Sequence, residues 1–296
     1  MLVLYREEQR WEDRRFVDFP NFLRPGDCVV LNNSRVIPSR LFGHRGGANV
    51  EVLLLQSVSA DRRDWKALVR PGRKLRAGEV VIFGDTLKAQ ILECGERGER
   101  TLRFLEGDVD SELERIGHVP LPPYIRRPDE AGDRERYQTV FAREKGSVAA
   151  PTAGLHFTPE IMARCPEIAY VTLHVGLGTF QPIHTDRLHA ERYEITPPNE
   201  AKIRAAARRV AVGTTSVRTL ESLVTRGPRG ETDLFIRPGF EFQMTGAMLT
   251  NFHLPKTSLL LLVCAFAGKD FALGAYRHAV RQGYRFYSYG DCMLII

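Results

Sequence analysis

The sequence predicts an α/β fold, in which a discontinuous, layered α/β domain is interrupted by a small inserted antiparallel β-barrel domain. Two observations support this prediction. From about residue 137 onward, strand-like and helical runs alternate, as in layered α/β proteins. Between residues 43 and 125, short β-type runs recur between turn signals, as in small barrels and sandwiches. We therefore assign 1–42 and 126–296 to the α/β domain and 43–125 to the inserted β-barrel domain.

The first half of the chain is predicted to consist of short strands. Apolar runs at 2–5 and 28–31 supply the N-terminal strands of the α/β domain. The inserted domain contains β-type runs at 50–55, 65–69, 80–83, 88–92 and 101–105. A proline-rich stretch at 119–124 closes the insertion, and the charged segment 126–136 is predicted to be the return linker.

In the second half, strands are predicted at 168–175, 210–212 and 292–296. Helices are predicted at 199–209, 216–224, 258–267 and 271–282. Alternation of this kind places the loops that follow the strands at one edge of a sheet, where α/β proteins build their binding sites.

Composition favours a cytoplasmic protein. The longest apolar run, 259–267, has nine residues, whereas a membrane-spanning helix needs about 20. The N-terminus lacks the basic and apolar regions of a secretory signal. The five cysteines are dispersed and form no CxxC pair, which argues against a disulfide framework and against a zinc cluster.

The formal net charge of +6 favours a polyanionic partner. A slight basic excess is also ordinary in proteins that bind no nucleic acid, so the charge supports such a partner without deciding it.

Polar, Gly-rich segments of the second half are the candidate functional loops. They lie at 150–158, 174–180, 213–216 and 250–257, with a further tetrad at 288–291. Each also has a structural interpretation, because glycines permit tight turns and most single histidines are core residues. The sequence contains neither a complete dinucleotide-binding fingerprint nor a Walker lysine pattern, and no metal-ligand spacing is present.

The loop at 213–216 has the clearest physical rationale. A helix that starts at about Ser216 offers free backbone N–H groups and the positive end of its dipole. Thr214, Thr215 and Ser216 add hydroxyl donors, and Arg218 follows within the first turn. These features predict a receptor for a carboxylate or phosphate. The alternative is that Arg218 only forms an ion pair with Glu221, three residues further along the helix.

Ordered sequence blocks carry a resemblance that covers essentially the whole chain. The blocks are 31–38, 119–124, 136–142, 150–158, 174–180, 189–194, 212–221, 249–256 and 287–291. In this order they resemble the signature blocks of the S-adenosylmethionine:tRNA ribosyltransferase-isomerase family of queuosine biosynthesis. The family fold, an α/β domain plus a β-barrel domain, agrees with the organisation predicted above.

The resemblance implies a specific reaction. The ribosyl part of S-adenosylmethionine is transferred and isomerised onto 7-aminomethyl-7-deazaguanine at the wobble position of tRNA, giving epoxyqueuosine-tRNA, adenine and methionine. The implied partners are this tRNA and S-adenosylmethionine, which is consumed as a co-substrate, so no cofactor, no metal and no membrane are expected. We expect a cytoplasmic monomer.

Residue type and loop position select the candidate site residues under this resemblance. The candidates for proton transfer are His156, His174, His253 and Asp291, with acid and base left open. The candidates for substrate binding are Asn33, Arg35, Thr152, Gly154, Gly176, Gly178, Thr179, Phe180, Gly213, Thr214, Thr215, Ser216, Arg218, Asn251, Leu254, Pro255 and Tyr289. The candidates for tRNA phosphate contacts are Arg126, Arg127, Arg134, Arg136, Arg143 and Lys145, for which a solvated charged loop is the alternative.

The sequence also departs from the family pattern. Family members usually carry a further stretch before the equivalent of Leu2, and the spacing here is contracted around 164–167 and 183–189. We interpret the contractions as places where mobile lid segments are missing from this sequence, rather than as shortened loops.

Two other functions remain in competition. A conventional S-adenosylmethionine-dependent tRNA methyltransferase would place a Gly-rich loop after its first strand and an acidic residue at the end of its second, and the first strands here lack both. A non-catalytic RNA-binding module would explain the charge but not the polar loops. The product released from S-adenosylmethionine distinguishes all three.

Overall fold

A computed structural model describes residues 1–122, 124–176 and 188–296, and all of their side chains except that of Lys74. Its strands are β1 (Leu2–Tyr5), β2 (Arg10–Asp13), β3 (Asp27–Asn32), β4 (Ser34–Val36), β5 (Arg40–Arg45), β6 (Ala48–Ser57), β7 (Asp64–Arg70), β8 (Val80–Phe83), β9 (Leu87–Cys94), β10 (Glu99–Phe104), β11 (Glu144–Ser147), β12 (Ile168–Leu173), β13 (Glu191–Glu194), β14 (Arg208–Val212), β15 (Arg229–Thr232), β16 (Thr245–Asn251) and β17 (Cys292–Ile295).

The helices are α1 (Val109–Ile116), α2 (Asp133–Arg136), α3 (Pro159–Met162), α4 (Pro197–Ala205), α5 (Thr214–Arg226), α6 (Ser258–Ala267) and α7 (Lys269–Arg281). Short 3-10 segments lie at Phe16–Phe22, Gly72–Lys74, Glu96–Gly98 and Thr152–His156.

The chain divides into two compact units. The first, called the α/β unit here, consists of Met1–Arg35, Gln138–Glu144 and Ala150–Ile296, and the second, called the barrel unit, of Val36–Tyr137 and Lys145–Ala149. These boundaries differ from the predicted divisions at 42/43 and 125/126. The first predicted division falls inside β5, which pairs with β6 and β8. The linker side chains Arg127 and Arg134 bond to groups of the barrel unit, so 126–137 belongs with it.

The α/β unit contains a nine-stranded sheet in the order β15-β13-β12-β3-β14-β16-β17-β1-β2. Its centre is parallel, because β12, β3, β14 and β16 pair in the same direction. The carboxyl ends of these four strands therefore meet at one edge of the sheet. Since crossovers between parallel strands carry helices, this arrangement confirms the predicted layered α/β architecture.

Successive residues of each central strand point to opposite faces of this sheet. Met248 packs with the buried residues of α5, α6 and α7, on what we call the helical face. Leu249 packs instead with Phe19, Phe157 and Ile161, on what we call the opposite face. Burying one such side chain fully contributes about 1.5–3 kcal/mol, so both faces stabilise the edge on which the loops stand.

The barrel unit confirms the predicted β-barrel. Its six strands close in the order β10-β7-β6-β5-β8-β9, and Trp65, Phe83 and Phe104 fill the interior. The five runs predicted from sequence correspond to β6 through β10. The prediction missed β5, in which only Leu41 is buried and Phe42 and His44 are exposed, so that the strand has little apolar signal.

Two local predictions need correction. Helix α5 begins at Thr214 rather than at about Ser216, and the loop predicted at 250–257 begins inside β16. Turn hydrogen bonds continue from α3 as far as Cys165, and the missing segment at 164–167 stays a prediction. Most of the second contraction, 183–189, lies outside the described residues. Within the described part of the chain, no single helix is long and apolar enough to cross a membrane, and α6 and α7, which pass that test together, meet at a bend of 114°.

Candidate active site

Asn32 organises the carboxyl edge of the sheet in the α/β unit. It is the last residue of β3 and is almost fully buried. Its side-chain amide donates to the carbonyl of Leu173 (3.0 Å) and to Oγ1 of Thr215 (3.3 Å), and its Oδ1 accepts the amides of Leu173 and Ser34 (3.1 Å each). One side chain thereby connects the ends of β3 and β12 to the first turn of α5.

The N-terminus of α5 presents backbone amides, and the hydroxyl of Ser216 there is bonded within the fold. Gly213, at the N-cap, has φ 85°, a conformation that favours glycine, and no side chain caps the helix. The hydroxyl of Ser216 donates to the carbonyl of Val212 (2.7 Å), and that of Thr215 accepts from Asn32. The predicted hydroxyl donors are therefore partly used within the fold, whereas the dipole end of a 13-residue helix remains at the edge.

Arg218 is buried and bonded within the protein. Its Nη1 donates to Oε2 of Glu191, its Nη2 to the carbonyl of Thr232 (3.0 Å) and its Nε to the carbonyl of Leu234 (3.1 Å). The sequence predicted that Arg218 binds a substrate or, as the alternative, pairs with Glu221. In the structure Arg218 does neither, because its charge is paired with Glu191. Glu221 instead accepts the backbone amides of residues 243–245, because its side chain lies on the buried side of α5.

Asn251, at the end of β16, gathers three of the predicted blocks. Its Oδ1 accepts from Oγ1 of Thr152 (3.3 Å), and its Nδ2 lies 3.4 Å from Nε2 of His156. The same amide donates to the carbonyl of Tyr287 (3.3 Å) and approaches that of Asp291 (3.5 Å). The blocks at 150–158, 250–257 and 287–291 therefore meet around one amide side chain.

His253 lies on the other side of β16. Its Nε2 is 2.8 Å from Oγ1 of Thr250, and its backbone amide donates to the hydroxyl oxygen of Tyr276 in α7 (3.0 Å). Thr250 and Asn251 are consecutive strand residues, so they point to opposite faces of the sheet. His253 is consequently associated with the helical face and His156 with the opposite face, a separation that the sequence did not predict.

Burial keeps both histidines uncharged at neutral pH. It lowers the pKa of His156 to about 4, with a further lowering from the positive N-terminus of the chain. Burial also lowers the pKa of His253 to about 4. For Asp291, burial raises the pKa, but hydrogen bonds from the backbone and side chain of Arg285 outweigh it and leave the pKa lowered. At neutral pH the candidate site therefore contains two neutral imidazoles and an ionised carboxylate. None of these three groups carries a proton that it could donate as a general acid before the reaction starts.

The segment after β12 carries the next group of predicted residues. The backbone amide of His174 donates to the carbonyl of Arg192 (3.0 Å), and that of Gly176 donates to Oε1 of Glu191 (2.8 Å). Gly178, Thr179 and Phe180 lie outside the described residues.

The remaining predicted substrate residues have mixed environments. Oδ1 of Asn33 accepts from the hydroxyl of Thr172 (2.7 Å). Arg35, Leu254, Pro255 and Tyr289 are exposed.

Glycines at this edge have distinct packing roles. A Cβ on Gly154 would lie 2.7 Å from the ring of Phe141, so this glycine serves packing rather than approach to a ligand. Gly213 lies against Ala153, since a Cβ there would be 3.7 Å from the Ala153 side chain. The blocks at 150–158 and 213–216 are therefore adjacent.

The predicted tRNA contacts divide into two groups. Three are bonded within the barrel unit: Arg127 pairs with both carboxylate oxygens of Asp133, Arg134 donates to the carbonyls of Glu114 and Gly117, and Lys145 pairs with Glu114. The other three, Arg126, Arg136 and Arg143, are exposed, as Arg127 and Lys145 also are, but for these three no side-chain hydrogen bond or ion pair is found among the described residues. The second group is the better candidate for contacts with phosphate.

Sequence reasoning missed Asn32 and Glu191. Both lie inside the quoted blocks 31–38 and 189–194, but neither stands in a Gly-rich loop. The signal for Asn32 was a polar residue directly at the end of the apolar strand β3. Glu191 begins the polar strand β13, Glu-Arg-Tyr-Glu, and had no such signal.

Polar groups at the carboxyl edge of a parallel sheet, beside an uncapped helix N-terminus, are the usual setting of the binding site in proteins of the layered α/β class. Comparison with known proteins gives the family. Residues 1–295 match the model of the queuosine biosynthesis protein family, so the chain belongs to that family. This membership confirms the resemblance inferred from the sequence blocks.

The relatives extend over the whole chain. S-adenosylmethionine:tRNA ribosyltransferase-isomerase from Solibacter usitatus is 62% identical over 325 residues, covering 100% of this chain and 92% of the relative. The enzyme of the same name from Moorella thermoacetica is 49% identical with the same coverage. The crystal structure of S-adenosylmethionine tRNA ribosyltransferase from Thermotoga maritima has a TM-score of 0.53 and 39% identity, and it covers 100% of this chain and 91% of that structure.

Proposed function

We propose that this protein is an S-adenosylmethionine:tRNA ribosyltransferase-isomerase of queuosine biosynthesis. It transfers and isomerises the ribosyl part of S-adenosylmethionine onto 7-aminomethyl-7-deazaguanine at the tRNA wobble position, and it releases adenine and methionine. The observation that carries the proposal is that the family's sequence blocks meet at the carboxyl edge of one sheet. Asn251 joins three of them, and Gly213 lies against Ala153 of the first.

The chemistry matches the protonation states of the site. The sulfonium of S-adenosylmethionine acidifies the neighbouring C5′ hydrogens, so a positioned base that carries no proton of its own can remove one of them. His156 and His253, with pKa values of about 4, are neutral at pH 7 and available as proton acceptors. Adenine departs only if a proton reaches a purine nitrogen. An imidazolium formed by the first step is a strong acid in this buried environment, so one histidine can take the C5′ proton and deliver it to the purine.

The polar groups around the histidines suit the rest of the reaction. Amide groups at the N-terminus of α5 can bind the carboxylate of the methionyl part. Methionine leaves as a neutral thioether, which needs no charged partner. We propose that S-adenosylmethionine is consumed as a co-substrate and that the reaction uses no additional cofactor and no metal.

We further propose that the protein acts on its tRNA as a cytoplasmic monomer. The cysteines fit a reducing compartment in which thiols stay unmodified. Burial raises the pKa of Cys28 to about 11 and that of Cys292 to about 12, which keeps these thiols protonated and unreactive.

The test is the identity of the product released from S-adenosylmethionine. The protein is incubated with S-adenosylmethionine and tRNA that carries 7-aminomethyl-7-deazaguanine, and the small molecules are separated by chromatography. Free adenine and methionine, together with a modified nucleoside of epoxyqueuosine mass, are expected. Unmodified tRNA is the control and gives no adenine. Release of S-adenosylhomocysteine identifies a methyltransferase, and binding without any product identifies an RNA-binding module.

A further inference from the structure

Glu191 connects two parts of the candidate site although it belongs to neither. It is the first residue of β13, and only 6% of it is exposed. Its Oε1 accepts the backbone amide of Gly176 (2.8 Å), and its Oε2 accepts from Arg218 of α5. A single carboxylate thus links the segment that follows β12 to the N-terminal half of α5.

The position of this carboxylate is fixed by the other bonds of Arg218. The guanidinium also donates to the carbonyls of Thr232 (3.0 Å) and Leu234 (3.1 Å), so it cannot turn without breaking two further hydrogen bonds. A buried, charge-assisted pair of this kind holds its geometry more rigidly than a surface pair. The Gly176 amide is therefore attached to a rigid acceptor.

The bond to Gly176 completes a series along 173–176. Asn32 binds the backbone of Leu173, the carbonyl of Arg192 binds the amide of His174, and Glu191 binds the amide of Gly176. His174, a candidate for proton transfer, lies between the last two attachments. The segment that carries it is held from one side by residues 191 and 192 of β13.

The polar groups of Glu191 and Arg218 are bonded to partners within the protein. Glu191 accepts from Gly176 and Arg218, and Arg218 also donates to the carbonyls of Thr232 and Leu234. The pair lines a small cavity together with apolar side chains that include Leu234, Ile236 and Leu262. The effect of the pair must pass through the backbone to which it is bonded.

We infer that Glu191 is a positioning residue, which holds Gly176, and with it His174, in register with the N-terminal half of α5. This inference rests on the proposed function, because the rate that it predicts is that of the proposed reaction. It adds a residue that acts on the geometry of the site without contacting the reacting atoms.

Paired variants separate positioning from structural support. Removing only one member of a buried ion pair leaves an uncompensated charge and destabilises the fold, so both members are replaced. E191Q/R218M keeps a carbonyl acceptor for the Gly176 amide, whereas E191M/R218M keeps none. We expect kcat for adenine release to be about 10- to 100-fold lower in E191M/R218M than in E191Q/R218M, because small misplacements of reacting groups have effects of that size. KM for S-adenosylmethionine should change much less.

A second readout does not depend on activity. Hydrogen exchange at the Gly176 amide should be faster in E191M/R218M than in E191Q/R218M or the wild type. If both double variants fail to fold, E191D is used as the test variant instead. Its carboxylate keeps the negative charge that pairs with Arg218, but its side chain is one methylene shorter and cannot reach both Arg218 and the Gly176 amide. E191D should melt close to the wild type and have a lower kcat.

The outcomes distinguish this inference from the proposed function. The positioning role is overturned if the two double variants have equal kcat and equal exchange at Gly176, or if E191D has the kcat of the wild type. Adenine release by the wild type would still support the proposed function in that case. A wild type that releases no adenine counts against the function, and the exchange comparison then decides whether Glu191 positions Gly176.

Discussion

At the scale of the residue, the two buried histidines connect proton chemistry to stability. Each has a pKa lowered from 6.5 to about 4 by burial, to which the positive N-terminus adds for His156. Below pH 6.5 the unfolded chain binds protons at these positions that the folded protein does not bind. The free energy of unfolding therefore falls as the pH drops from 6.5 toward 4, and it is unaffected by these groups above that window.

The corresponding prediction concerns the variant H156N/H253Q, in which neither position titrates. Between pH 6.5 and 5, each wild-type histidine should cost up to about 2 kcal/mol of stability, since one pKa unit corresponds to about 1.36 kcal/mol. The double variant should lose correspondingly less over this interval. Urea denaturation at pH 7, 6 and 5 measures the difference, and parallel pH profiles for the two proteins would contradict it.

Turnover provides the second prediction at this scale. Replacing His174 or His253 by Ala should lower the rate of adenine release about 10²–10⁴-fold, the usual contribution of proton transfer. The affinity for S-adenosylmethionine, measured by calorimetry, should change far less. Near-normal turnover in either variant would show that the replaced histidine has a structural role and does not transfer the proton.

At the scale of the element, the sheet edge depends on side chains at the strand ends. Asn32 satisfies backbone groups of β12 and of Ser34, the first residue of β4, and reaches the first turn of α5. Parallel strands leave such groups unpaired where their ladders end, and buried groups without partners are costly. The candidate loops therefore start from backbone positions that one amide side chain holds in place.

The neighbouring asparagines give a matched test. Asn32→Ala should leave the amide and carbonyl of Leu173 and the amide of Ser34 without partners, and we expect a loss of about 2–4 kcal/mol in the free energy of unfolding. Asn33→Ala removes only the bond from Thr172 at a half-buried position, and we expect less than about 1 kcal/mol. Urea denaturation of both variants at pH 7 measures this. Equal losses would show that Asn32 does not hold the edge together.

At the scale of the whole molecule, the net charge of +6 includes basic residues with different roles. Asp133 is buried, and its pKa is lowered to about 2, first of all by the hydrogen bonds from Arg127. That arginine stabilises the barrel unit and has little left to offer a phosphate. Arg126 and Arg136, in the same unit, are exposed, and among the described residues neither forms an ion pair within 4.0 Å, although the charge of Arg136 also helps to lower the pKa of Asp133.

The prediction is a difference in salt dependence. The variant R126Q/R136Q should flatten the slope of log Kd for tRNA against log salt by about 0.9 for each phosphate that is no longer neutralised, with little change in melting temperature. R127Q should do the reverse, lowering the melting temperature and leaving the slope unchanged. An unchanged slope in R126Q/R136Q would remove both residues from the interface with tRNA.

Patterns local in the sequence determined the fold class and part of the elements of this protein. The five barrel runs and the apolar helix at 258–267 follow from turn residues and apolar periodicity, which depend on neighbours a few positions away. The ordered blocks determined the family for the same reason, since motifs are local. Strand β5 escaped prediction because its identity depends on pairing with β6 and β8 rather than on its own composition.

The tertiary structure alone decided the partners of the site residues. Arg218 was expected to face a substrate, but Glu191, 27 residues earlier in the chain, takes its charge. His156 and His253 were grouped by residue type, but they lie on opposite faces of the sheet. Such contacts join residues far apart in the chain, and their energies depend on burial and on hydrogen-bond geometry. Neither quantity exists until the chain has folded, so no local pattern can specify it.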